Sequence, residues 1–490
     1  MTGRRRLAAT LLLALAGGGC TGPAATVDTD AIPRGELRPL PLAYWPHAAA
    51  VGSPRDLGAL FAALSVAHAS PVLIIQVGDS HSAGDYLSAR LRELFQARFG
   101  AAGRGVLPPG IPDRYYKPKL VAVTESDGWQ RVTSHDGNAV AAFGIAGVVQ
   151  QTATPNQTMA LTSDESDGFD RVVIDYRRRP DGGSLWLSVD GGPPAVISTR
   201  GAPAKVERAI FASAPHGRTL TLQTDGDGPV ELTGWGTWRH GRGVLYQNFG
   251  IVGAQADVLE RYDRQALATE LADSSLVVVV YGTNEAFGPA SDLSDYRSRF
   301  ITSVRELQSA APHASILIVG PPDVNRSAAS ATAGGLPCQP AVPSQTSLPG
   351  VFVGYTQTVG ETRALDPTPG HPTTVVRQAA HRIMAEWVRP AQLDTVLQVQ
   401  RTAAAQHGWY FWDWSAAMGG PCAMQTWVAS GLGRSDHVHM TIDGYDRSAE
   451  LLFADLMDRY DAWLRQQRGR PQRSENTPAD TDTETAAAPR

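Results

Sequence analysis

The sequence has 490 residues, of which 42% are hydrophobic and 19% are charged, and its formal net charge is −5. A chain of this length exceeds what one hydrophobic core usually organises, so we expect more than one domain. The composition is typical of a folded protein rather than a disordered one. The negative balance argues against a nucleic-acid partner, because nucleic-acid-binding proteins usually present a basic face.

The first twenty residues have the pattern of an export signal. An arginine triplet at residues 4–6 precedes an apolar stretch that is too short to span a bilayer. We therefore predict a signal peptide over residues 1–19 and an exported protein. The segment resembles a bacterial lipoprotein signal, which implies lipid attachment at Cys20 and a periplasmic lipoprotein of the cell envelope. Gly17 replaces the leucine usual in that motif, so a plain secretory signal is the alternative.

The first α/β unit follows a spacer. Residues 20–50 are rich in Ala, Pro and Thr and predict a flexible linker. The apolar run VLIIQV, which begins at Val72, is typical of a strand buried on both faces. The turn GDSHSAGD comes next, and YLSARLRELFQARF then alternates apolar and charged residues with a helical period. This order predicts the opening of an α/β domain over residues 51–110.

Between residues 111 and 240 the pattern changes to short, alternating, β-branched runs separated by Gly, Asp and Pro. These runs predict an antiparallel β-sandwich inserted into the α/β domain. Its tryptophans Trp186, Trp235 and Trp238 could stack on sugar rings, but aromatic residues of a sandwich more often lie in the core.

The α/β pattern resumes over residues 241–466, where apolar strands alternate with helices. It predicts a parallel sheet with helices on both faces. A helical stretch is expected from Thr373 to Ala405, broken at Pro390, and a last helix from Ile442 to about Gln466. Residues 467–490 are polar and predict a disordered tail.

Two cysteines remain beyond the signal. Cys338 and Cys422 both lie in Gly/Pro-rich loops. Because an exported protein folds in an oxidising compartment, we predict a disulfide between them.

Ser80, in the turn after the first buried strand, is a candidate nucleophile, because the next helix can present backbone N–H groups to an oxyanion. A serine hydroxyl needs a base, and the base needs an acceptor that fixes its tautomer. His439 and Asp436, three residues apart before the last helix, are suited to these roles. A helix-capping serine and a solvated polar loop are the alternatives. Another is a zinc site built from His437 and His439 with His81 or Asp436.

Gly253 and Asn284 both follow predicted strands, so they are expected at the same edge of the sheet as Ser80. A glycine N–H and an asparagine amide are suitable donors to a tetrahedral intermediate. Taken singly, each residue is more typical of an ordinary turn.

The order Ser80, Gly253, Asn284, Asp436-x-x-His439 resembles the SGNH (GDSL-type) hydrolase family, whose four sequence blocks look like QVGDSHSAGD, GIVGAQ, VVYGTNEAF and SDHVHMTIDGY here. The resemblance implies a flavodoxin-like three-layer α/β fold. It implies Ser80 as nucleophile, His439 and Asp436 as its base pair, and an oxyanion hole of Ser80, Gly253 and Asn284.

A narrower resemblance, carried by GDSHSAGD, YGTNEAF and the inserted sandwich, is to bacterial peptidoglycan O-acetylesterases, in which the insert is similar to a carbohydrate-binding module. It implies a serine esterase that removes O-acetyl groups from an acetylated glycan, most readily peptidoglycan, with no metal or organic cofactor. An O-acetyltransferase using the same residues and a non-catalytic glycan-binding or assembly protein are the alternatives.

Overall fold

The computed structural model describes residues 27–42, 53, 55–137, 143–202, 205–289, 293–328, 335–338 and 387–468. The predicted signal peptide, Cys20, much of the predicted linker and nearly all of the predicted tail lie outside these residues. Within them, no helix combines the length and the apolar character that crossing a membrane requires.

Strands and helices mix on either side of residues 105–250, where twelve strands follow one another. The strands are β1 Leu37–Leu40, β2 Pro71–Gly78, β3 Gly105–Leu107, β4 Val121–Glu125, β5 Gln130–Thr133, β6 Val148–Thr152, β7 Thr158–Ser163, β8 Phe169–Arg178, β9 Ser184–Val189, β10 Ala195–Ser198, β11 Lys205–Gly217, β12 Thr219–Thr224, β13 Val230–Trp238, β14 Gly243–Gly250, β15 Leu276–Val280, β16 Ser315–Val319, β17 Arg326–Ser327, β18 Gly335–Cys338, β19 Trp387–Pro390 and β20 Tyr410–Trp412. The helices are α1 Gly58–Ser65, α2 Ser80–Ala83, α3 Tyr86–Phe99, α4 Arg264–Leu271, α5 Thr283–Phe287, α6 Tyr296–Ala310, α7 Gln392–His407, α8 Trp414–Met418, α9 Ala423–Ala429 and α10 Ile442–Arg468.

A five-stranded parallel sheet forms the centre of the α/β part, in the order β14-β2-β15-β16-β20. Its strands are continuous apolar runs because both faces are covered. In β2, Leu73, Ile75 and Val77 face one core, which includes residues of α4, α6 and α7. Val72 and Ile74 face the other, which includes residues of α1, α3 and α10. The predicted three-layer architecture is confirmed.

The strand order is also that of a flavodoxin-like sheet. The chain starts at β2, places β14 on one side, and then adds β15, β16 and β20 on the other. The direction of winding therefore reverses between β2 and its neighbours. In such sheets ligands bind beyond the carboxyl ends of the strands, at this switch point.

Two antiparallel sheets account for most of residues 111–240, which we call the insert. One has seven strands, in the order β1-β11-β8-β13-β6-β5 with β3 paired to β13, and the other has the order β10-β9-β12-β7-β4. One cluster of buried residues includes side chains from both sheets, such as Ile174 of β8 and Leu187 of β9. Val173, the neighbour of Ile174, belongs instead to a core of the α/β part. The larger sheet is thus covered on both faces.

Two strands of the larger sheet come from outside the predicted boundaries of the insert. The linker prediction is wrong for Leu37–Leu40, because this segment pairs with β11 and buries Leu37. Gly105–Leu107 pairs with β13, although the sequence assigned it to the α/β domain.

The helix predicted around Pro390 is also partly wrong. The residues Trp387–Pro390 were predicted as helix but form a strand that pairs with β17 and β18. The rest of the predicted stretch before Trp387 lies outside the described residues. The helix proper begins at Gln392, after the proline, whose missing N–H is tolerated only near a helix start. The last helix, α10, has the predicted position.

The predicted disulfide between Cys338 and Cys422 is present, with a Cα–Cα distance of 5.3 Å. It joins the end of β18 to the residue before α9.

Candidate active site

Three of the predicted site residues follow three adjacent strands of the parallel sheet. Gly78, at the end of β2, is in register with Gly250 of β14 and with Val280 of β15. Ser80 therefore lies between the loop that carries Gly253 and the turn that carries Asn284. Since parallel strands end at one edge, the fold brings the three residues to the same rim.

The turn before Ser80 is tightly constrained. Asp79 accepts a hydrogen bond from the backbone N–H of His81 at 2.9 Å, which caps the short helix α2. A Cβ atom on Gly78 would lie 2.4 Å from the Ser82 hydroxyl oxygen and 2.7 Å from the carbonyl oxygen of Val280. Only glycine fits there, and this close approach fixes where the serine emerges.

A continuous hydrogen-bonded chain joins the serine to the loop before α10. The His439 Nε2 atom lies 3.0 Å from the Ser80 Oγ atom, across 359 residues of sequence. On the other side of the imidazole, Nδ1 lies 2.9 Å from Asp436 Oδ2. The structure thus brings Ser80, His439 and Asp436 into one line.

The loop itself is held by Asp436. Its Oδ1 atom accepts hydrogen bonds from the backbone N–H groups of Val438 and His439, both at 2.9 Å. Partial burial would raise the pKa of Asp436, but the hydrogen bonds from the His439 side chain and these backbone groups outweigh it and hold the pKa well below its ordinary value. The carboxylate therefore stays ionised across the neutral range.

The two residues predicted as oxyanion donors beside Ser80 lie in neighbouring segments that a hydrogen bond joins. The Asn284 side-chain amide donates to the carbonyl oxygen of Ala254 at 2.8 Å. This bond ties the turn after β15 to the loop of Gly253. An amide NH₂ has two N–H donors, and this bond uses one of them. Gly253 has a positive φ of 78°, a conformation that favours glycine.

His81 is a residue whose importance sequence reasoning missed. Its ring is buried, its Nδ1 atom lies 3.1 Å from the Tyr445 hydroxyl, and its centroid lies 5.3 Å from that of His439. Burial, and next the nearby His439, hold the pKa of His81 well below its ordinary value. His81 is therefore a neutral ring packed next to His439, the predicted base. Its place directly after Ser80 was the signal that could have found it.

The zinc-site alternative gains no support from these contacts. Both ring nitrogens of His439 are engaged, and His437 turns away to stack on Trp387 with ring centroids 3.6 Å apart. Across the described part of the chain, no three His, Cys, Asp or Glu side chains converge as a metal-binding group.

Two buried carboxyl groups lie under the rim and were also missed. Burial raises the pKa of Asp79 to about 8 and that of Glu285 to about 7, and the negative charge of Glu285 adds to the rise for Asp79. Glu285 Oε1 accepts the backbone N–H of Ala256 at 3.0 Å. Both groups favour the protonated form near neutral pH because burial disfavours their charge.

Comparison with known proteins identifies the α/β part. Residues 223–447 match the GDSL-like lipase/acylhydrolase family. This part of the chain is therefore similar to GDSL-like acylhydrolases. The match contains Gly253, Asn284, Asp436 and His439 and begins within the last strands of the insert, whereas Ser80 precedes it by more than a hundred residues.

This chain is similar to a solved structure of a peptidoglycan O-acetylesterase. The similarity covers 87% of this chain and 99% of the other, with 25% sequence identity and a TM-score of 0.62. The family match and this similarity confirm the predicted resemblance and the prediction of an SGNH-type esterase.

Other solved structures match less well. A family two carbohydrate esterase from Cellvibrio japonicus matches 70% of this chain and 100% of its own, with 10% identity and a TM-score of 0.25. A carbohydrate-binding module from Clostridium stercorarium matches 28% of this chain and 93% of its own, with 10% identity and a TM-score of 0.20. No curated protein matches the sequence.

Proposed function

We propose that the hydrolase removes O-acetyl groups from a polysaccharide of the cell envelope through an acyl-enzyme on Ser80. Peptidoglycan is the substrate that we favour. The observation that carries the proposal is the line from Asp436 through His439 to the Ser80 hydroxyl, with distances of 2.9 and 3.0 Å. The substrate class is supported by the likeness to the peptidoglycan O-acetylesterase, which extends over most of this chain.

In the acylation step, His439 Nε2 takes the proton of the Ser80 hydroxyl as its oxygen attacks the ester carbonyl. The negative charge that forms on the carbonyl oxygen is stabilised by the backbone N–H groups of Ser80 and Gly253 and by the Asn284 amide. The intermediate collapses as His439 returns the proton to the departing sugar oxygen. The products are a free sugar hydroxyl and an acetylated Ser80.

In the second step, His439 takes a proton from water, and the hydroxide attacks the acetyl carbonyl. The same three donors stabilise the second tetrahedral intermediate. Collapse releases acetate and returns the proton to Ser80. Asp436 stays ionised throughout, holds Nδ1–H towards itself and stabilises the imidazolium that forms twice in each turnover.

We also propose that the protein works outside the cytoplasm, attached to the membrane by a lipid on Cys20. This rests on the arginines, the short apolar stretch and the glycines that precede the cysteine. Labelling growing cells with a radioactive fatty acid tests it: the full-length protein should carry the label and Cys20→Ala should not.

The insert is proposed to be a β-sandwich similar to a carbohydrate-binding module. Its two antiparallel sheets share one buried cluster, which is the arrangement expected of a sandwich. A glycan-binding insert would hold a polymer near the active site of the same chain.

Acetate release from purified O-acetylated peptidoglycan, compared with O-acetylated xylan, tests the substrate. We expect peptidoglycan to be deacetylated faster by at least an order of magnitude. A preference for xylan, or no release from either polymer, contradicts the proposal.

The same reactions distinguish the acetyltransferase and binding-protein alternatives. The site is open to water, since the His439 side chain is 33% exposed and that of Asp436 47% exposed. We therefore expect free acetate to exceed acetyl transfer when an acceptor oligosaccharide is added. A serine-directed covalent inhibitor should label Ser80. Without labelling or turnover, the binding-protein alternative would hold.

A further inference from the structure

A polar cleft lies where the insert meets the hydrolase. Its insert wall comes from the segment before β4 and from β5 with the turn after it, and includes Asp113, Arg131, His135 and Asp136. Its hydrolase wall is the end of β14 and the loop that follows, from Gly250 to Val252. No residue of this wall belongs to the proposed catalytic set, but the next residue in the chain is Gly253.

The cleft reaches the oxyanion hole through His135. A Cβ atom placed on Gly253 would lie 3.3 Å from His135 Nε2. The imidazole therefore stands directly beside the backbone whose N–H is proposed to stabilise the oxyanion. An ester bound at Ser80 would have the His135 ring and the cleft beyond it next to its carbonyl group.

The side chains of the cleft have unused hydrogen-bonding capacity. The Arg131 guanidinium donates through Nη1 to the carbonyl oxygen of Pro112. Its other N–H groups have no hydrogen-bond acceptor in the part of the chain that the structure describes, and neither does the His135 ring have a partner there. Opposite charges lie close by. Asp113 accepts from the backbone N–H of Tyr115, and Asp136 accepts from that of Thr133.

The size and composition of the cleft limit what it takes. Its volume is about 130 Å³, whereas a single water needs about 10–15 Å³. One ring-sized group can therefore replace several waters. An anionic group would approach Asp113 and Asp136 as well as Arg131. A neutral group with hydroxyls and amides fits both signs, because each hydroxyl donates and accepts. Val252, 37% exposed, offers an apolar surface to a ring face.

We propose that this cleft binds a neutral sugar unit of the glycan, next to the unit that bears the ester, and that the insert thereby contributes Arg131 and His135 to substrate specificity. The inference rests on the proposed function, in that the substrate is an acetylated glycan. It goes further by assigning a second sugar position, formed jointly by the two parts of the chain and adjoining the oxyanion hole.

The test compares kcat/KM for an O-acetylated monosaccharide with that for an O-acetylated neutral oligosaccharide of the same sugar. The wild-type enzyme should prefer the oligosaccharide. Arg131→Ala and His135→Ala should each reduce this preference about tenfold, mainly through a higher KM. Lys205→Ala is the control, since it removes a cation of the insert whose ion pair with Glu207 lies outside the cleft. Its preference should match the wild type.

Two results overturn the inference: no preference in the wild type, or a preference that survives both substitutions. Failure of the proposed function is distinguishable, because then neither sugar ester is hydrolysed. The cleft is tested in that case by titrating unesterified neutral oligosaccharide into Ser80→Ala protein in a calorimeter. Binding that Arg131→Ala weakens about tenfold supports the cleft. No binding, or binding indifferent to that change, rejects it.

Discussion

His439 is the residue on which the proposed chemistry depends, because its two ring nitrogens have different partners. Nδ1 faces the ionised Asp436 and Nε2 faces the Ser80 hydroxyl. A proton held on Nδ1 leaves Nε2 free to accept the serine proton. The carboxylate thus decides which tautomer is present, and the loop of Asp436 decides where the ring lies.

Asp436→Asn should lower kcat by about two to four orders of magnitude, with an unchanged fold. The asparagine oxygen can still accept the backbone N–H groups of Val438 and His439, but its amide offers a proton to Nδ1 and favours the wrong tautomer. Hydrolysis of a small acetyl ester and a thermal melt measure the two effects. Asp443→Asn, on the exposed first turn of α10, is the control. Near wild-type kcat in Asp436→Asn would remove the proposed role.

Asn284→Ala should lower kcat by about 10²–10³, which corresponds to loss of about 3–4 kcal/mol of transition-state stabilisation. KM should change little if the amide acts on the oxyanion rather than on the substrate ground state. The bond to the Ala254 carbonyl is lost as well. Asn284→Asp keeps the side-chain size but, as a carboxylate, lacks the same N–H donors. An equal rise in KM with constant kcat would argue for a role in binding alone.

The buried Glu285 predicts a pH-dependent stability. Its pKa rises from an ordinary 4.5 to about 7 on folding, so the native state holds a proton that the unfolded chain releases. The stability from this proton is complete below about pH 4 and is lost as the pH rises through 7. Over that range the change is on the order of 3 kcal/mol.

Glu285→Gln should therefore gain stability relative to the wild type as the pH rises from 5 to 8. Glutamine keeps an acceptor for the Ala256 N–H but cannot ionise. Urea unfolding at several pH values measures the difference, with the exposed Glu260→Gln as the control. Parallel pH profiles of the wild type and Glu285→Gln would mean that Glu285 ionises freely in the folded protein.

Among the elements, the disulfide is the link most open to test. Cys338 and Cys422 are 84 residues apart in sequence, and a cross-link over a loop of this length stabilises mainly by restricting the unfolded chain. The double variant Cys338→Ser/Cys422→Ser should lose about 2–5 kcal/mol of unfolding free energy. Reducing the wild-type protein should lower its unfolding midpoint to a similar extent. A midpoint indifferent to reductant would show that the bond adds no stability.

The elements that the sequence predicted are those with a strong local pattern. The run LVVVV of β15 is apolar throughout because helices cover both faces of its sheet, and α10 has a helical apolar period. The short strand Leu37–Leu40 has no such pattern of its own. It forms because it pairs with β11, more than a hundred residues later. A partner so distant in sequence cannot be predicted from the pattern of four residues. The same holds for Trp387–Pro390.

For the site, the sequence indicates the candidate residues but not the groups around them. Ser80, Gly253, Asn284, Asp436 and His439 could be proposed as site residues because each stands in a family-like motif after a strand or before a helix. Burial raises the pKa values of Asp79 and Glu285. Burial depends on the tertiary structure, so the local sequence does not predict it. The approach of His135 to Gly253 depends on how the insert packs on the hydrolase. Local sequence therefore indicates the candidate catalytic residues but not their surroundings.

At the scale of the whole molecule, the insert separates Ser80 from Asp436 and His439 in sequence but not in space. The larger sheet of the insert shares a core with the α/β part, since Val173 and Trp238 pack in the same cluster as Val77 of β2. A buried carboxylate adds a contact across this junction: Asp85, before α3, accepts the backbone N–H of Lys119 from the insert at 3.0 Å. The insert is therefore fixed beside the active site.

The central claim is that a hydroxyl and an imidazole 359 residues apart act together on one acyl group. The most direct measurement is mass spectrometry of the peptide containing Ser80, after acid quenching during turnover of an acetyl ester. We predict one added acetyl group on Ser80 in the wild type, and neither the adduct nor acetate release in Ser80→Ala. Acetate release that persists in a correctly folded Ser80→Ala protein would contradict the account.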